Sequence, residues 1–322
     1  MSDLTRATLL AVLTLAAGHA AAQAGKYPTK PIRLIVPFAP GGGTDIVARI
    51  VAQKMSDTLG QSVVVDNRPG GGGTVGVETA VRAQPDGYTL INVSGSYATN
   101  AAVYKLSYDP VNDIQPISIF GESAFIVALH PSVAAKTVPE LITLAKSKPG
   151  ALNYGSTGPG GITHLSTELF ELMAGTRMTH VPYRGTGPSL TALLGSQIQL
   201  MFGAMPATIP HVKQNRLRGI AVTSEKPAPA LPGVPPLGET VKGYEVVLWW
   251  GIFGPRGLPK DVVGMWNRGV EQILKAKDMQ ERMAAEGIDP LGGPPERFRG
   301  AIKRDVEKWK RVVREAKITI QL

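Results

Sequence analysis

The sequence contains no cysteine among its 322 residues, and aromatic residues supply only 6% of it. The absence of cysteine excludes disulfide bonds, thiolate metal sites, a cysteine nucleophile and lipidation of an N-terminal cysteine. Without disulfides the fold must rest on its core, and 43% of the residues are hydrophobic. A chain of this length is sufficient for two packed lobes.

Long apolar runs are also scarce. The run at residues 9–17 falls short of the roughly 20 residues that span a bilayer, although an uncleaved membrane anchor is the alternative reading of this segment. Arg6 precedes the run, and small residues at 20–24 offer cleavage sites, which is the pattern of a secretory signal peptide. We therefore predict that residues 1–24 are a cleaved signal peptide and that the protein is exported.

Local catalytic and metal-binding motifs are missing. The motifs G-x-S-x-G, H-E-x-x-H and the P-loop do not occur, and His130, His164, His180 and His211 stand far apart without companion ligands. We therefore predict neither catalytic residues nor a metal site. An exported serine-type hydrolase remains an alternative, because the members of a catalytic triad need only be close in space.

The net charge of +9 favours anionic partners in general. Much of the positive charge lies in residues 294–317, where apolar residues recur at three- and four-residue spacing. This spacing predicts a helix with one apolar face, and acidic residues interrupt the charge of its other face. We interpret that face as solvated and predict no nucleic-acid partner.

Strand-like and helical segments alternate along the chain. Short β-branched runs at 32–39 and 62–67 flank a helical pattern that Gly60 ends, and similar alternation continues to residue 255. The proline-rich stretch 224–240 is typical of a rigid surface connection. The alternation predicts an α/β fold with parallel, doubly wound sheets.

The stretch VPFAPGGGTDIVARI, residues 36–50, leads from a strand through three glycines into a helix. At the carboxyl end of a parallel strand, the first turn of the next helix exposes N–H groups that attract anions. The glycines either let an anion approach this backbone or only form a tight turn. Thr44 is a candidate helix cap or ligand donor. Asp45 either serves the helix N-terminus or receives a ligand ammonium.

A second glycine-rich turn has the spacing of a dinucleotide fingerprint. Gly71, Gly73 and Gly76 form G-x-G-x-x-G between a strand and a helix. The next strand is followed by Ser94 and Ser96 and lacks the acid that would hold a ribose hydroxyl. We therefore predict no nucleotide cofactor, and no other cofactor.

Two further turns follow strands in the second half of the chain. The turn in NYGSTGPGGITHLSTELF, residues 153–170, has the same design as the first. If the two turns belong to different lobes, their helix starts can face one carboxylate ligand across a cleft. His164 and Arg184 are candidate donors, whereas a satisfied histidine and a solvated arginine are the ordinary alternatives.

Several motifs together carry a resemblance to a known family and cover nearly the whole mature chain. They include PFAPGGGTD, VVVDNRPGGGGTVG, YGSTGPGGITHLS and HVPYRGTGPSL, and they occur in this order. The sequence resembles the substrate-binding receptors of tripartite tricarboxylate transporters, the Bug family first noted in Bordetella.

The resemblance implies a periplasmic-binding-protein-like Venus flytrap, with two α/β lobes and a hinge of two crossings near 121–125 and 244–250. Lobe 1 would comprise residues 25–123 and 247–322, and lobe 2 residues 124–246. The resemblance also implies a periplasmic receptor that binds a small organic carboxylate without catalysing a reaction on it. This receptor would dock on the integral-membrane permease subunits. A membrane sensor is a variant partner, and we expect a monomer.

The ligand-gripping turns of the family match residues 40–45 and 156–161, with support from 94–96 and 183–186. The candidate ligand-binding residues are Pro40, Gly41, Gly42, Gly43, Thr44, Asp45, Ser94, Ser96, Ser156, Thr157, Gly158, Gly160, Gly161, His164, Tyr183, Arg184 and Thr186.

Two details refine this expected site. Members of the family often have an acidic residue where this chain has Gly203. Its absence argues against a ligand with a free ammonium, although Asp45 is an alternative acceptor. Phe38, Tyr97 and Trp249 are candidate apolar walls of the pocket, or else core residues.

Overall fold

The computed structural model describes residues 27–315 and residue 318. The predicted signal peptide, residues 1–24, lies outside this part of the chain. Among the described residues, no helix combines the length and the apolar character needed to cross a membrane.

Strands and helices alternate as the sequence predicts. The strands are β1 (Ile32–Val36), β2 (Val63–Asn67), β3 (Thr89–Ser94), β4 (Ile114–Leu129), β5 (Asn153–Ser156), β6 (Thr179–Pro182), β7 (Leu200–Ala204), β8 (Arg218–Val222), β9 (Val247–Pro255) and β10 (Asp289–Pro290). The helices are α1 (Gly43–Leu59), α2 (Thr74–Val81), α3 (Ser96–Val103), α4 (Val138–Ser147), α5 (Ile162–Ala174), α6 (Thr186–Leu194), α7 (Met205–Lys213), α8 (Lys260–Lys275), α9 (Lys277–Ala285) and α10 (Pro295–Glu315).

Local sequence determines where helices begin and end. Helix α1 ends where Gly60 adopts the left-handed conformation, with φ 66°, and donates its N–H to the carbonyl of Ser56. Helix α4 begins where the Thr137 hydroxyl accepts the N–H of Glu140, with a proline in its first turn. The helix predicted within residues 294–317 is α10, whose apolar face is buried.

The strands form one continuous path that divides at β4. The order is β2-β1-β3-β9-β4-β7-β5-β6, and β8 and β10 also pair with β4. Residues 114–124 of β4 pair with β9, whereas residues 125–129 pair with β7. We call the side of β4 that carries β1, β2, β3, β9 and β10 the first sheet. The side that carries β5, β6, β7 and β8 is the second sheet.

The predicted α/β class is confirmed, and the expected parallel pairing holds for β1 with β2 and β3, and for β5 with β6 and β7. Strands β4 and β9 differ, because they run antiparallel to their neighbours. Both are buried along almost their whole length. Burial on both faces is also typical of parallel strands, so the sequence pattern did not indicate their direction.

The chain passes between the two sheets twice, and Thr223 joins the two passages. Its side-chain hydroxyl accepts the N–H of Phe125 at 2.7 Å and donates to the carbonyl of Val246 at 2.7 Å. The backbones of Thr223 and Val246 also pair, with Val246 N–H to Thr223 carbonyl at 3.0 Å. Thr223 is completely buried. The hydroxyl therefore satisfies one donor and one acceptor at the junction of the sheets.

Candidate functional site

A small cavity lies where the carboxyl ends of strands from both sheets meet. Its lining residues are Phe38, Gly42, Thr44, Ser94, Ser96, Phe125, Thr157, Ile162, Thr163, Thr186, Ala204 and Leu248. Six of them carry a serine or threonine hydroxyl, and none of them carries a charged side chain. The cavity volume is about 10 Å³, which is about the space of one water molecule.

The structure brings part of the predicted site together around this cavity. Six predicted residues line it, namely Gly42, Thr44, Ser94, Ser96, Thr157 and Thr186. The other predicted residues belong to the same turns but are not among the lining residues. They are Pro40, Gly41, Gly43, Asp45, Ser156, Gly158, Gly160, Gly161, His164, Tyr183 and Arg184.

Asp45 braces the first turn instead of lining the cavity. Its side chain is buried, with one carboxylate oxygen accepting the Gly41 N–H at 3.0 Å and the Arg49 Nε–H at 2.9 Å. The other oxygen accepts from Asn67 Nδ2 at 2.9 Å. Burial alone would raise the pKa of Asp45, but the hydrogen bonds from Arg49, Gly41 and Asn67 bring it below its ordinary value. The carboxylate is therefore ionised and engaged in holding the turn and the start of α1.

Thr44 lies in the first turn of α1, and its hydroxyl is positioned by an indole. Trp250 donates its Nε1–H to Thr44 Oγ1 at 3.3 Å, so the threonine proton can be donated to an acceptor in the cavity. Thr44 is not the N-cap residue of α1, because that position is occupied by Gly42, which has no side chain. Of the two roles expected for Thr44, the geometry favours the ligand donor.

Gly203 has no room for a side chain. A Cβ built there would lie 2.3 Å from the Thr208 hydroxyl oxygen, and Thr208 is completely buried. The adjoining Ala204 lines the cavity, and a Cβ on Gly43 would lie 2.9 Å from the Ala204 Cβ. Gly203 therefore packs directly against Thr208 of α7 at the position where the family pattern suggests an acidic side chain.

The second turn, residues 156–161, is held by hydroxyl contacts. Thr163 Oγ1 accepts the N–H of Thr157 at 2.9 Å and lies 3.0 Å from Thr157 Oγ1. Ser156 Oγ lies behind the cavity wall, where it accepts the Gly158 N–H at 3.1 Å and contacts His180 Nε2 at 2.6 Å. Thr157 and Thr163 therefore face the cavity, and Ser156 supports the turn from beneath.

A buried pair of imidazoles supports the same turn. His164 Nδ1 accepts the Gly160 N–H at 3.1 Å, and its ring stacks on His180 with centroids 3.8 Å apart. Burial and the neighbouring His164 lower the pKa of His180 to about 3. Glu168 Oε1 lies 3.5 Å from His164 Nε2 and accepts the Tyr154 hydroxyl proton at 2.6 Å. His164 is thus the satisfied buried histidine that the sequence left as an alternative.

The two sides of the cleft contact one another through one side-chain hydroxyl and through backbone groups. Ser96 Oγ, at the start of α3, accepts the N–H of Ile162 at 3.1 Å. The Ala39 N–H donates to the Arg184 carbonyl at 2.9 Å. The Arg184 side chain is exposed and Tyr183 is half-buried. The 183–186 stretch therefore reaches the cleft through its backbone and through Thr186.

Sequence reasoning missed several lining residues. The lining residues that the sequence did not predict are Phe125, Ile162, Thr163, Ala204 and Leu248. Phe38, a candidate wall or core residue, does line the cavity. Tyr97 and Trp249 do not line it. Trp249 donates its indole N–H to Asp305 of α10 at 2.6 Å. Phe125 and Leu248 fall within the two predicted hinge segments, so the expected chain crossings were the available signal for them.

The arrangement gives no support to a serine hydrolase. The Ser156–His180 contact has the length of a nucleophile and base pair, but the Ser156 side chain is 1% exposed and does not line the cavity. Its oxygen is engaged with the backbone of its own turn. Within residues 27–315, no group of three or more histidine, aspartate or glutamate side chains is arranged to hold a metal ion.

Known proteins match nearly the whole chain. The family model for "Tripartite tricarboxylate transporter family receptor" matches residues 47–318. BugT of Bordetella pertussis is 35% identical over 318 residues, which cover 95% of this chain and 97% of BugT.

Two solved structures are similar in fold and sequence. The periplasmic binding protein BugD has a TM-score of 0.89 and 33% identity, covering 92% of this chain and 100% of BugD. Rpa4515 of R. palustris, solved with adipate, has a TM-score of 0.88 and 34% identity, covering 91% and 99%. The chain therefore belongs to the tripartite tricarboxylate transporter receptors of the Bug family, a family of periplasmic solute-binding proteins.

Proposed function

We propose that this protein captures a small organic carboxylate between two lobes in the periplasm and delivers it to the membrane subunits of a tripartite tricarboxylate transporter. The observation that carries this proposal is the composition of the cavity between the sheets. Its polar lining consists of hydroxyl donors beside two helix starts, without a charged side chain among the lining residues. Neutral donors and helix N-termini are a common way to bind an anion.

The position of the two helix starts favours a ligand with two carboxylates. Helix α1 begins at the first turn and α5 at the second, and these helices belong to opposite sheets. The adipate bound by Rpa4515 is a ligand of this class. An ammonium group would find no carboxylate partner in the lining, because Asp45 is engaged by Gly41, Arg49 and Asn67. We therefore propose a diacid without an amino group.

Ligand binding is proposed to involve separation and closure of two lobes, residues 25–123 with 247–322 and residues 124–246. The hinges are the segments 121–125 and 244–250. A cavity of about 10 Å³ cannot hold a diacid. The lobes must therefore separate before the ligand enters, and contacts to both lobes then stabilise the closed form.

The predicted site residues divide into two proposed roles. The six that line the cavity, Gly42, Thr44, Ser94, Ser96, Thr157 and Thr186, contact the ligand. The others position the turns that carry these six residues. Asp45 and His164 are the clearest cases, because their polar atoms are engaged with backbone N–H groups of the two turns.

Location and partners complete the proposal. A cleaved signal peptide at residues 1–24 exports the chain, and the closed receptor docks as a single copy on the permease subunits implied by the family. A membrane sensor is the variant partner. The ligand leaves chemically unchanged, since the cavity lacks an exposed nucleophile with an adjacent base.

A thermal-shift screen of the mature, refolded protein tests this proposal. The compounds are succinate, glutarate, adipate, citrate, an aromatic acid and glutamate, with the reaction mixtures analysed for products. A ligand at one hundred times its dissociation constant stabilises the native state by about 2.7 kcal/mol. We expect a saturable shift with a diacid, a smaller shift with glutamate, and no product. The absence of a shift with every acid, or the formation of a product, would overturn the proposal.

A further inference from the structure

Two buried histidines lie directly beneath the second turn, residues 156–161. His164 is in the first turn of α5, and His180 is in β6, which pairs with β5. The two rings are nearly parallel, with an interplanar angle of 10° and a centroid distance of 3.8 Å. Neither side chain is among the residues lining the cavity, and the ligand contacts proposed above do not use them.

The two imidazoles hold the turn at both of its ends. His164 Nδ1 accepts the N–H of Gly160, a residue with φ +70°, just before α5 begins. His180 Nε2 contacts Ser156 Oγ at the other end, and that oxygen accepts the Gly158 N–H. The cavity-lining Thr157 lies between these two anchors. The imidazole pair therefore holds the backbone on either side of Thr157, whose hydroxyl lies 3.0 Å from Thr163 Oγ1.

This arrangement requires a neutral His164. Protonation of Nδ1 would place an N–H donor opposite the Gly160 N–H and abolish their hydrogen bond. A charged imidazole would also lie near the positive end of α5 and against the second ring.

The groups around the histidine pair differ in whether they favour a positive charge on an imidazole. Glu168, on the same helix, faces His164 Nε2 at 3.5 Å and favours a proton there. Hydrogen bonds from His164 and Tyr154 lower the pKa of Glu168, although burial opposes them. Tyr154 of β5 stacks on both rings. Burial and then Glu168 raise the pKa of Glu171 to about 8, so that carboxyl is largely neutral near pH 7. Glu168 therefore supplies the negative charge closest to the pair.

We propose that the stacked His164 and His180 side chains are positioning residues of the ligand site, and that acidification weakens carboxylate binding by releasing Gly160 from His164. This inference rests on the proposed function for its ligand. It adds that the affinity depends on pH through groups that do not touch the ligand. A receptor built this way retains its ligand at neutral pH and binds it more weakly in an acidified periplasm.

The first test measures adipate affinity by calorimetry from pH 7.5 to pH 5.5. The variant His164→Asn retains an acceptor for the Gly160 N–H but does not titrate. His130→Asn is the matched control, because His130 contacts Ser132 and not the second turn. Protonation of adipate affects every variant equally, so the variants are compared with one another.

We expect the wild-type protein and His130→Asn to lose about fivefold more affinity than His164→Asn over this range, which corresponds to the loss of one hydrogen bond. Parallel profiles for the wild type and His164→Asn would overturn the inference. If neither adipate nor any other acid binds at pH 7.5, the proposed function fails.

A second test needs neither a ligand nor a variant. Hydrogen exchange of the Gly160 amide is followed by NMR in the wild-type protein over the same pH range, after correction for intrinsic exchange. We expect protection of this amide to fall on acidification, while the amides of β1 keep theirs. Constant protection of Gly160 would overturn the role of His164, whatever the outcome with adipate.

Discussion

The Ser96 hydroxyl accepts a hydrogen bond from the backbone N–H of Ile162 at 3.1 Å, and this bond joins the start of α3 to the start of α5 across the cleft. The Ile162 N–H is one of the helix-start donors that a carboxylate would use. In this structure a protein hydroxyl satisfies this donor. A carboxylate that binds to the Ile162 N–H therefore has to replace the Ser96 hydroxyl or share the donor with it.

Ser96→Ala removes this cross-cleft contact. Because the side chain also lines the cavity, we expect diacid affinity to fall about fivefold, the effect of one lost hydrogen bond. We also expect a larger radius of gyration by small-angle X-ray scattering without added acid. Ser147→Ala, at an exposed helix end, is the control. Unchanged affinity together with an unchanged radius would show that the bond has no role in closure.

Gly42→Val tests whether the first turn must approach the opposite lobe closely. Gly42 has φ −91°, so valine can adopt its backbone conformation. Its Cβ would lie only 3.1 Å from the Thr186 Cβ. We expect loss of diacid binding by calorimetry with little change in urea unfolding, whereas Gly300→Ala in α10 retains binding. Retained affinity in the folded Gly42→Val protein would place the ligand elsewhere.

Thr223→Val tests the junction between the sheets. Valine keeps the shape of threonine but leaves the Phe125 N–H and the Val246 carbonyl without the hydroxyl partner. We expect a loss of about 1–3 kcal/mol in the free energy of unfolding, the usual result of leaving buried polar groups unpaired. Urea denaturation measures this loss. Thr79→Val, at an exposed position, is the matched control, and equal effects of the two variants would contradict the assignment.

The lowered pKa of His180 predicts that the stability of the fold depends on pH. Burial and His164 lower its pKa from 6.5 to about 3 in the folded state, so the unfolded chain takes up the proton first as pH falls. The stability that the neutral ring contributes is therefore fully present above pH 6.5 and is lost between pH 6.5 and about pH 3. Glu171 acts in the opposite direction, because its raised pKa of about 8 makes the folded state bind the extra proton.

The comparison of wild type with His180→Gln separates these effects. Glutamine retains a polar group for Ser156 but does not titrate in this range. The urea midpoint of each protein is measured at pH 7.5 and at pH 5. We expect the decrease in midpoint between these two pH values to be larger for the wild type than for the variant. If both proteins lose the same stability, His180 does not contribute to the acid sensitivity.

Much of the fold and part of the site follow from the sequence, because glycine-rich turns after apolar strands have few structural interpretations. Both predicted turns reach the cleft and supply Thr44 and Thr157 to it. The antiparallel direction of β4 and β9 did not follow, since strands buried on both faces lack an alternating pattern. The contact of His164 with His180 also required the structure, because it depends on how β6 pairs with β5.

Carboxylate binding in the cleft is tested most sharply by a crystal structure of the protein with the diacid that gives the largest thermal shift. We predict carboxylate oxygens within hydrogen-bond distance of the Thr44 and Thr157 hydroxyls, one near each helix start. An acid bound elsewhere, with the cleft unchanged, would contradict the proposed ligand site. The cavity of about 230 Å³ that includes Lys226 and Gln280 in its lining is one such place.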